Sequence, residues 1–112
     1  MEYRYKIYND VYNDMISGKK TVDFRLLNEK SNSIKAGDII KFLVVDDENK
    51  YLLVRVIDKF IYDDLVSVCE SDEYLNNNLD CSKEKFISLF NKIFGEDMVK
   101  NSKIVGFKIE LI

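Results

Sequence analysis

The sequence predicts an α+β fold, a small mixed β-barrel with two or three flanking helices. Three observations lead there. The chain has 112 residues, 46% of them hydrophobic and 33% charged, enough apolar mass for one core and too little length for two. Segments with an apolar period of two recur along it, rich in branched and aromatic side chains. The helical segments do not alternate regularly with them, as a doubly wound parallel sheet would require.

In chain order, Tyr8, Val11, Tyr12, Met15 and Ile16 form one stripe of a helix that stops at Gly18. The period then changes to two: Val22, Phe24 and Leu26 alternate with Thr21, Asp23 and Arg25, as in a strand with one buried face. Residues 28–36 are polar and read as a loop; Gly37-Asp38 turns into an apolar strand over Ile39–Val45. Asp46 to Lys50 reads as the reversal into a long strand from Tyr51 to Ile61, paired with its predecessor as a hairpin. A short helix starts at Asp63 or Asp64, and an acidic, asparagine-rich loop follows from Glu70 to Asp80. Ser82 is an N-cap for a helix carrying Phe86, Ile87, Leu89, Phe90, Ile93 and Phe94 and ending at Gly95. Residues 103–112 close the chain as a strand.

Composition excludes much chemistry. There is no histidine, which removes Ser-His and Cys-His catalytic pairs and the commonest zinc ligand. Neither a metal nor a cofactor is expected; Asp46-Asp47-Glu48 matches a cation loop in composition only. Cys69 and Cys81, with eleven residues between them, read as buried thiols of a reduced, cytoplasmic protein. No segment is long and apolar enough for a membrane span, so no membrane partner is expected.

Charge is unevenly placed. With 20 acidic and 17 basic side chains the chain carries a net charge of -3, unlike a protein that coats nucleic acid indiscriminately. Residues 19–35 nevertheless hold Lys19, Lys20, Arg25, Lys30 and Lys35 against Asp23 and Glu29, whereas residues 63–84 hold seven acids and one lysine. Any nucleic-acid contact is therefore local. The segment Gly18-Lys19-Lys20-Thr21-Val22-Asp23-Phe24-Arg25 lines up a donor, an acceptor and a guanidinium fork on alternate strand positions, a set suited to a nucleotide or nucleoside. The same residues read equally well as ion pairs on an exposed strand face. Tyr3, Tyr5, Tyr8 and Tyr12 are taken as half-buried packing residues rather than stacking platforms.

At these residues the chain resembles the ASCH domain of the PUA-like superfamily. The run from Met15 to Lys30 and then from Ile34 to Phe42 matches its signature: a helix ending in Gly-Lys-Lys-Thr, a strand with an acid and an arginine, and a Gly-Asp turn before an apolar strand. The resemblance continues weakly through Tyr62-Asp63-Asp64-Leu65 and the Val105–Ile109 strand. It implies a PUA-like barrel with a cleft beside the Gly-Lys-Lys-Thr turn, binding RNA or a nucleotide-like ligand. Some small bacterial relatives are amidohydrolases that deacetylate acetylated cytidine, and others are ribonucleases. In the amidohydrolases a lysine, a threonine and a later glutamate carry the chemistry. The lysine matches Lys20, the threonine position holds Asp23, and the glutamate region falls near Leu79-Asp80, with Glu70 and Glu73 close by in sequence.

Three functions follow as expectations. In the first, RNA or a nucleotide or nucleoside is bound by Lys19, Lys20 and Arg25, read by Asp23 and Thr21, and covered by Glu29 or Lys30. In the second, a hydrolase uses Lys20 or Asp23 as proton acceptor and Thr21 as oxyanion donor. In the third, the chain is a protein-protein adaptor whose surface is the acidic loop from Glu70 to Asp80. The sequence does not specify an oligomeric state.

Overall fold

The computed structural model describes residues 1–77 and 82–112. Five strands form one mixed sheet: β1 (Glu2–Ile7), β2 (Val22–Leu26), β3 (Ile39–Val44), β4 (Asp47–Tyr62) and β5 (Ile104–Leu111), in the order β1-β3-β4-β5-β2. β1 runs parallel to β3 and every other pairing is antiparallel. Parallel pairing of β1 and β3 needs a long crossover, and the intervening α1 (Asn9–Ile16), β2 and α2 (Glu29–Ser33) supply it.

The sheet curls into a half-barrel. β4 is sixteen residues long and serves two partners, β3 along its first half and β5 along its second. Its register with β5 shifts between Val56 and Asp58, where Ile57 is the extra residue. Such a bulge bends a strand and increases its twist. Gly106 lets the sheet close tightly at the other end. A β-carbon there would lie 2.9 Å from Cε1 of Phe24 and 3.2 Å from Cε2 of Tyr62, so only glycine admits both rings.

The hollow of the curl is filled by Ile34, Ile40, Phe42, Val54, Val105 and Phe107, all completely buried. On the outer side, α3 (Leu65–Glu70), α4 (Asp72–Leu75), α5 (Lys83–Phe94) and α6 (Glu96–Lys100) cover a second cluster centred on Phe24, Tyr74, Phe86 and Phe90. α5 starts as the sequence implies, with Ser82 accepting from the Lys85 N–H at 3.1 Å, and it stops at Gly95, whose φ is 90°.

The expected flanking helices are α1, α3 and α5; α2, α4 and α6 are additional pieces of four or five residues. Three readings change: the segment read as a loop from Glu70 to Asp80 begins with the end of α3 and contains α4. Residues 28–36 contain α2, and the hairpin reversal is confined to Val45 and Asp46, with Asp46 at a φ of 67°, so that Asp47–Lys50 already belong to β4. Cys69 is a buried free thiol; Cys81, and the Asn78–Asp80 part of the acidic loop, lie outside the described residues. Among the described residues no helix is long and apolar enough to cross a membrane, and no group of carboxylate or thiol side chains could hold a metal ion.

Candidate functional site

α1 ends in a turn that its sequence makes tight. Gly18 sits at a φ of 82°, the left-handed region that glycine adopts without a β-carbon clash, and its N–H donates to the Met15 carbonyl. The Lys20 N–H then donates to the Asp14 carbonyl at 3.0 Å, folding the Lys-Lys pair back beneath the helix. The chain enters β2, an edge strand, where a side chain takes the place of a neighbouring strand. Oδ1 of the buried Asn77 accepts from the N–H groups of Thr21 and Val22 at 2.8 and 3.0 Å and from the Thr21 hydroxyl at 3.1 Å. Its Nδ2 donates to the Val22 carbonyl at 3.0 Å. β2 is thereby fixed where Asp23 and Arg25 project.

Asp23 is 4% exposed. Arg25 donates to it through Nε at 2.7 Å, and the ammonium of Lys20 lies 4.0 Å from its other oxygen. A buried carboxylate needs such compensation, and two cations supply it. The guanidinium carbon of Arg25 lies 4.0 Å from the centre of the Tyr5 ring, and the ammonium of Lys30 lies at the same distance from it. Cations held over an aromatic face are attracted by its quadrupole. Burial, followed by the repulsion of Arg25, pushes the Lys30 amine below its ordinary value.

Lys20, Asp23 and Arg25 share the floor of a cleft of about 310 Å³. One wall is α1, with Asp10, Val11 and Asp14; the other is α5, with Phe86, Leu89, Phe90 and Ile93. Lys6 and Lys85 also line it. The volume lies at the small end of the ~300–1,000 Å³ range of ligand pockets. Four basic side chains face three acidic ones, so the cleft suits a flat, partly apolar molecule with at most a small negative charge rather than a polyphosphate.

The structure brings Lys20, Asp23 and Arg25 together and leaves the other candidates outside the cleft lining. The Thr21 hydroxyl is bonded to Asn77, so it is not aimed at the cleft as an oxyanion donor would be. Lys19 is exposed beyond the lining, and Glu29 is exposed in the first turn of α2. Lys30 stacks on Tyr5 and its ammonium donates to the Arg4 carbonyl. The Glu73 carboxylate accepts the Tyr62 hydroxyl away from the cleft, and burial together with that bond pushes the Tyr62 phenol up. Leu79 and Asp80 lie outside the described residues.

Sequence reasoning missed the walls. Their signal was the width of the apolar stripe on α5: Leu89 and Ile93 remain 44% and 52% exposed, more apolar surface than the core covers. Asp10 and Asp14, four apart on α1, were a second signal.

The crystal structure of hypothetical protein PH0355 matches over the whole of both chains, with a TM-score of 0.83 and 25% identity. The solution structure of protein PF0455 from Pyrococcus furiosus gives 0.76 and 28%, covering 100% of this chain and 98% of that one. The crystal structure of ASCH from Zymomonas mobilis matches 97% of this chain and 66% of its own, with a TM-score of 0.67 and 14% identity. The fold is that of an ASCH domain, of PUA-like type. No family model and no curated protein matches the sequence. In this ASCH fold the cleft occupies the side of the half-barrel where α1, β2 and α5 meet.

Proposed function

We propose that this chain binds a nucleoside or mononucleotide, free or as an unstacked residue of single-stranded RNA, in the cleft between α1 and α5. One observation carries the reading: an acceptor, Asp23, and two cations, Lys20 and Arg25, share the floor of a cleft with a phenylalanine-rich wall. The apolar side chains of α5 take a face of the base, and Asp23, an acceptor only, takes an exocyclic amine. Arg25 and Lys20 take an oxygen of the ribose or of a single phosphate. The ASCH fold agrees with a nucleic-acid-related ligand.

The test is a calorimetric and NMR screen of nucleosides, nucleoside monophosphates and RNA of a few nucleotides. Saturable binding is expected, with shifts at Lys20, Asp23, Arg25 and Phe90 and a salt slope of about one phosphate contact. A slope implying many contacts, or shifts confined to residues outside the cleft, overturns the reading.

A second reading rests on the pairing of Lys20 with Asp23, side chains 12% and 5% exposed. Amide hydrolysis there has water add to the acyl carbon of an acylated exocyclic amine while the pair takes a water proton; the C–N bond breaks, and the amine leaves with a proton. Chromatography of the same mixtures with acetylated cytidine is expected to show free cytidine and acetate, lost in Lys20→Ala. Turnover retained in that variant removes this mechanism.

A further inference from the structure

Tyr5 is the anomaly of the site. Among the described residues its hydroxyl is the single buried side-chain oxygen or nitrogen with no hydrogen-bond partner. A buried orphan donor is costly and calls for a reason. Arg25, which covers the Tyr5 ring, is the complement of this. It bonds Asp23 through Nε, and its two terminal amino groups donate no hydrogen bond among the described residues. An arginine fork 14% exposed on the floor of a cleft is thus available for an oxygen that the protein does not supply.

We propose that Tyr5 is the positioning residue of the cleft: its ring seats Arg25, and its hydroxyl takes over Asp23 when Arg25 turns its fork onto an anionic oxygen of the ligand. The idea rests on the binding reading above. In the free protein Asp23 is paired with Arg25 and Lys20, and the hydroxyl of Tyr5, whose ring lies under Arg25, has no partner. When the guanidinium turns, the carboxylate loses a hydrogen bond in a buried place, and the hydroxyl replaces it. The orphan is then satisfied, so the movement has a compensating gain. Both charges act on the phenol. Burial raises its proton affinity most, and beyond that Arg25 lowers it while Asp23 raises it.

The arrangement predicts non-additivity without any ligand. Tyr5→Phe removes an unused hydroxyl, so in the otherwise unchanged protein the melting temperature stays constant or rises. In Arg25→Met, where Asp23 has lost its arginine, the Tyr5 hydroxyl bonds the carboxylate, and adding Tyr5→Phe lowers the melting temperature by several degrees. Arg25→Gln replaces Arg25→Met if the latter does not fold. Equal shifts in the two backgrounds overturn the exchange. The ligand arm uses cytidine 5′-monophosphate, with cytidine as the uncharged control. Tyr5→Phe is expected to weaken the monophosphate about tenfold and cytidine little, because only the charged oxygen draws Arg25 away. On the unsubstituted protein the tyrosine ring 13Cζ resonance moves when the monophosphate binds. If the unsubstituted protein binds neither molecule, the binding reading fails and the two-background comparison still decides the exchange. If it binds both and Tyr5→Phe binds them identically, the positioning role is wrong.

Discussion

The molecule has two apolar clusters, and they are built differently. Inside the half-barrel, the strands β3, β4 and β5 contribute Phe42, Val54, Val56, Val105 and Phe107 on a continuous hydrogen-bonded ladder, and these side chains are at most 1% exposed. On the helical flank, the cluster consists of rings in contact: Phe24 with Phe86 at 6.1 Å, Tyr74 with Phe86 at 4.9 Å, Phe86 with Phe90 at 5.8 Å and Phe90 with Phe94 at 4.6 Å. The helices of this flank, α5 aside, are four to six residues long, too short to persist on propensity alone. The barrel cluster is sealed by the sheet that forms it. The flank leaves an apolar face of α5 open, and the candidate cleft is in that opening. A rigid sheet therefore positions the polar floor, and a softer helical layer supplies the wall.

The largest expected effect tests that contrast directly. Phe107→Ala removes a fully buried ring from a layer that cannot collapse, and a loss of about 4–5 kcal/mol is expected in urea unfolding. Phe90→Ala removes a ring of the same size from the flank, where α5 has room to settle, and the expected cost is nearer ~3 kcal/mol. Loss of ligand affinity belongs only to Phe90→Ala, since Phe90 lines the cleft and Phe107 does not. A larger stability loss at Phe90 than at Phe107 reverses the assignment of rigid and soft halves.

The join between the halves is Asn77, and it gives the next largest effect. In Asn77→Ala the N–H groups of Thr21 and Val22 lose their acceptor and the Val22 carbonyl its donor, with water held off the Val22 groups by burial. Leaving buried groups unpaired costs about 1–3 kcal/mol. The variant is expected to speed amide exchange at Val22 selectively, leaving the β3–β4 amides unchanged. Uniform acceleration across the sheet shows instead that β2 is not separately pinned.

What the sequence discloses divides along the same line. The long elements are legible because each carries its own period and its own punctuation: Ser82 and Gly95 bracket α5, and Val22, Phe24 and Leu26 mark β2. β1 escapes because Glu2, Arg4 and Lys6 alternate with tyrosines that bury only partly, a weak pattern on an edge strand. α2 has no apolar stripe at all. It exists through a reciprocal cap, in which Asn28 Oδ1 accepts from the Ser31 N–H and Ser31 Oγ accepts from the Asn28 N–H, both at 2.9 Å. At the site, Asp23 and Arg25 are legible because a strand places alternate residues on one face, and Lys20 because it stands in the turn that leads into that strand. The α5 wall and Tyr5 come from distant parts of the chain, and only the fold brings the one to the cleft and the other beneath Arg25. The bond of Thr21 to Asn77 is hidden for the same reason, since the two lie 56 positions apart.

The smallest effect concerns one carboxylate in each half. Asp38, in the turn before β3, accepts from the Lys35 N–H at 3.0 Å, and this bond holds its carboxyl below the usual range, with burial opposing and the N-terminal amine assisting. Asp64 caps α3 by accepting from the N–H and hydroxyl of Ser67, each at 2.8 Å, and these bonds likewise depress it. A carboxylate whose folded value is depressed stabilises the protein above its unfolded value, about 4, and that stabilisation disappears as pH falls through the folded value. Both contributions are therefore present at pH 7 and fade in acid. Asn keeps an acceptor oxygen at either position without titrating, so Asp38→Asn is expected to flatten the decline of melting temperature below about pH 4.5, by about one to two degrees. Asp64→Asn should do less, because the Asp64 side chain is solvated and asparagine caps a helix nearly as well as aspartate. A larger change at Asp64 than at Asp38 means that the short flank helices depend on their caps more than on the rings beneath them, and the softness of the flank then originates at its helix ends.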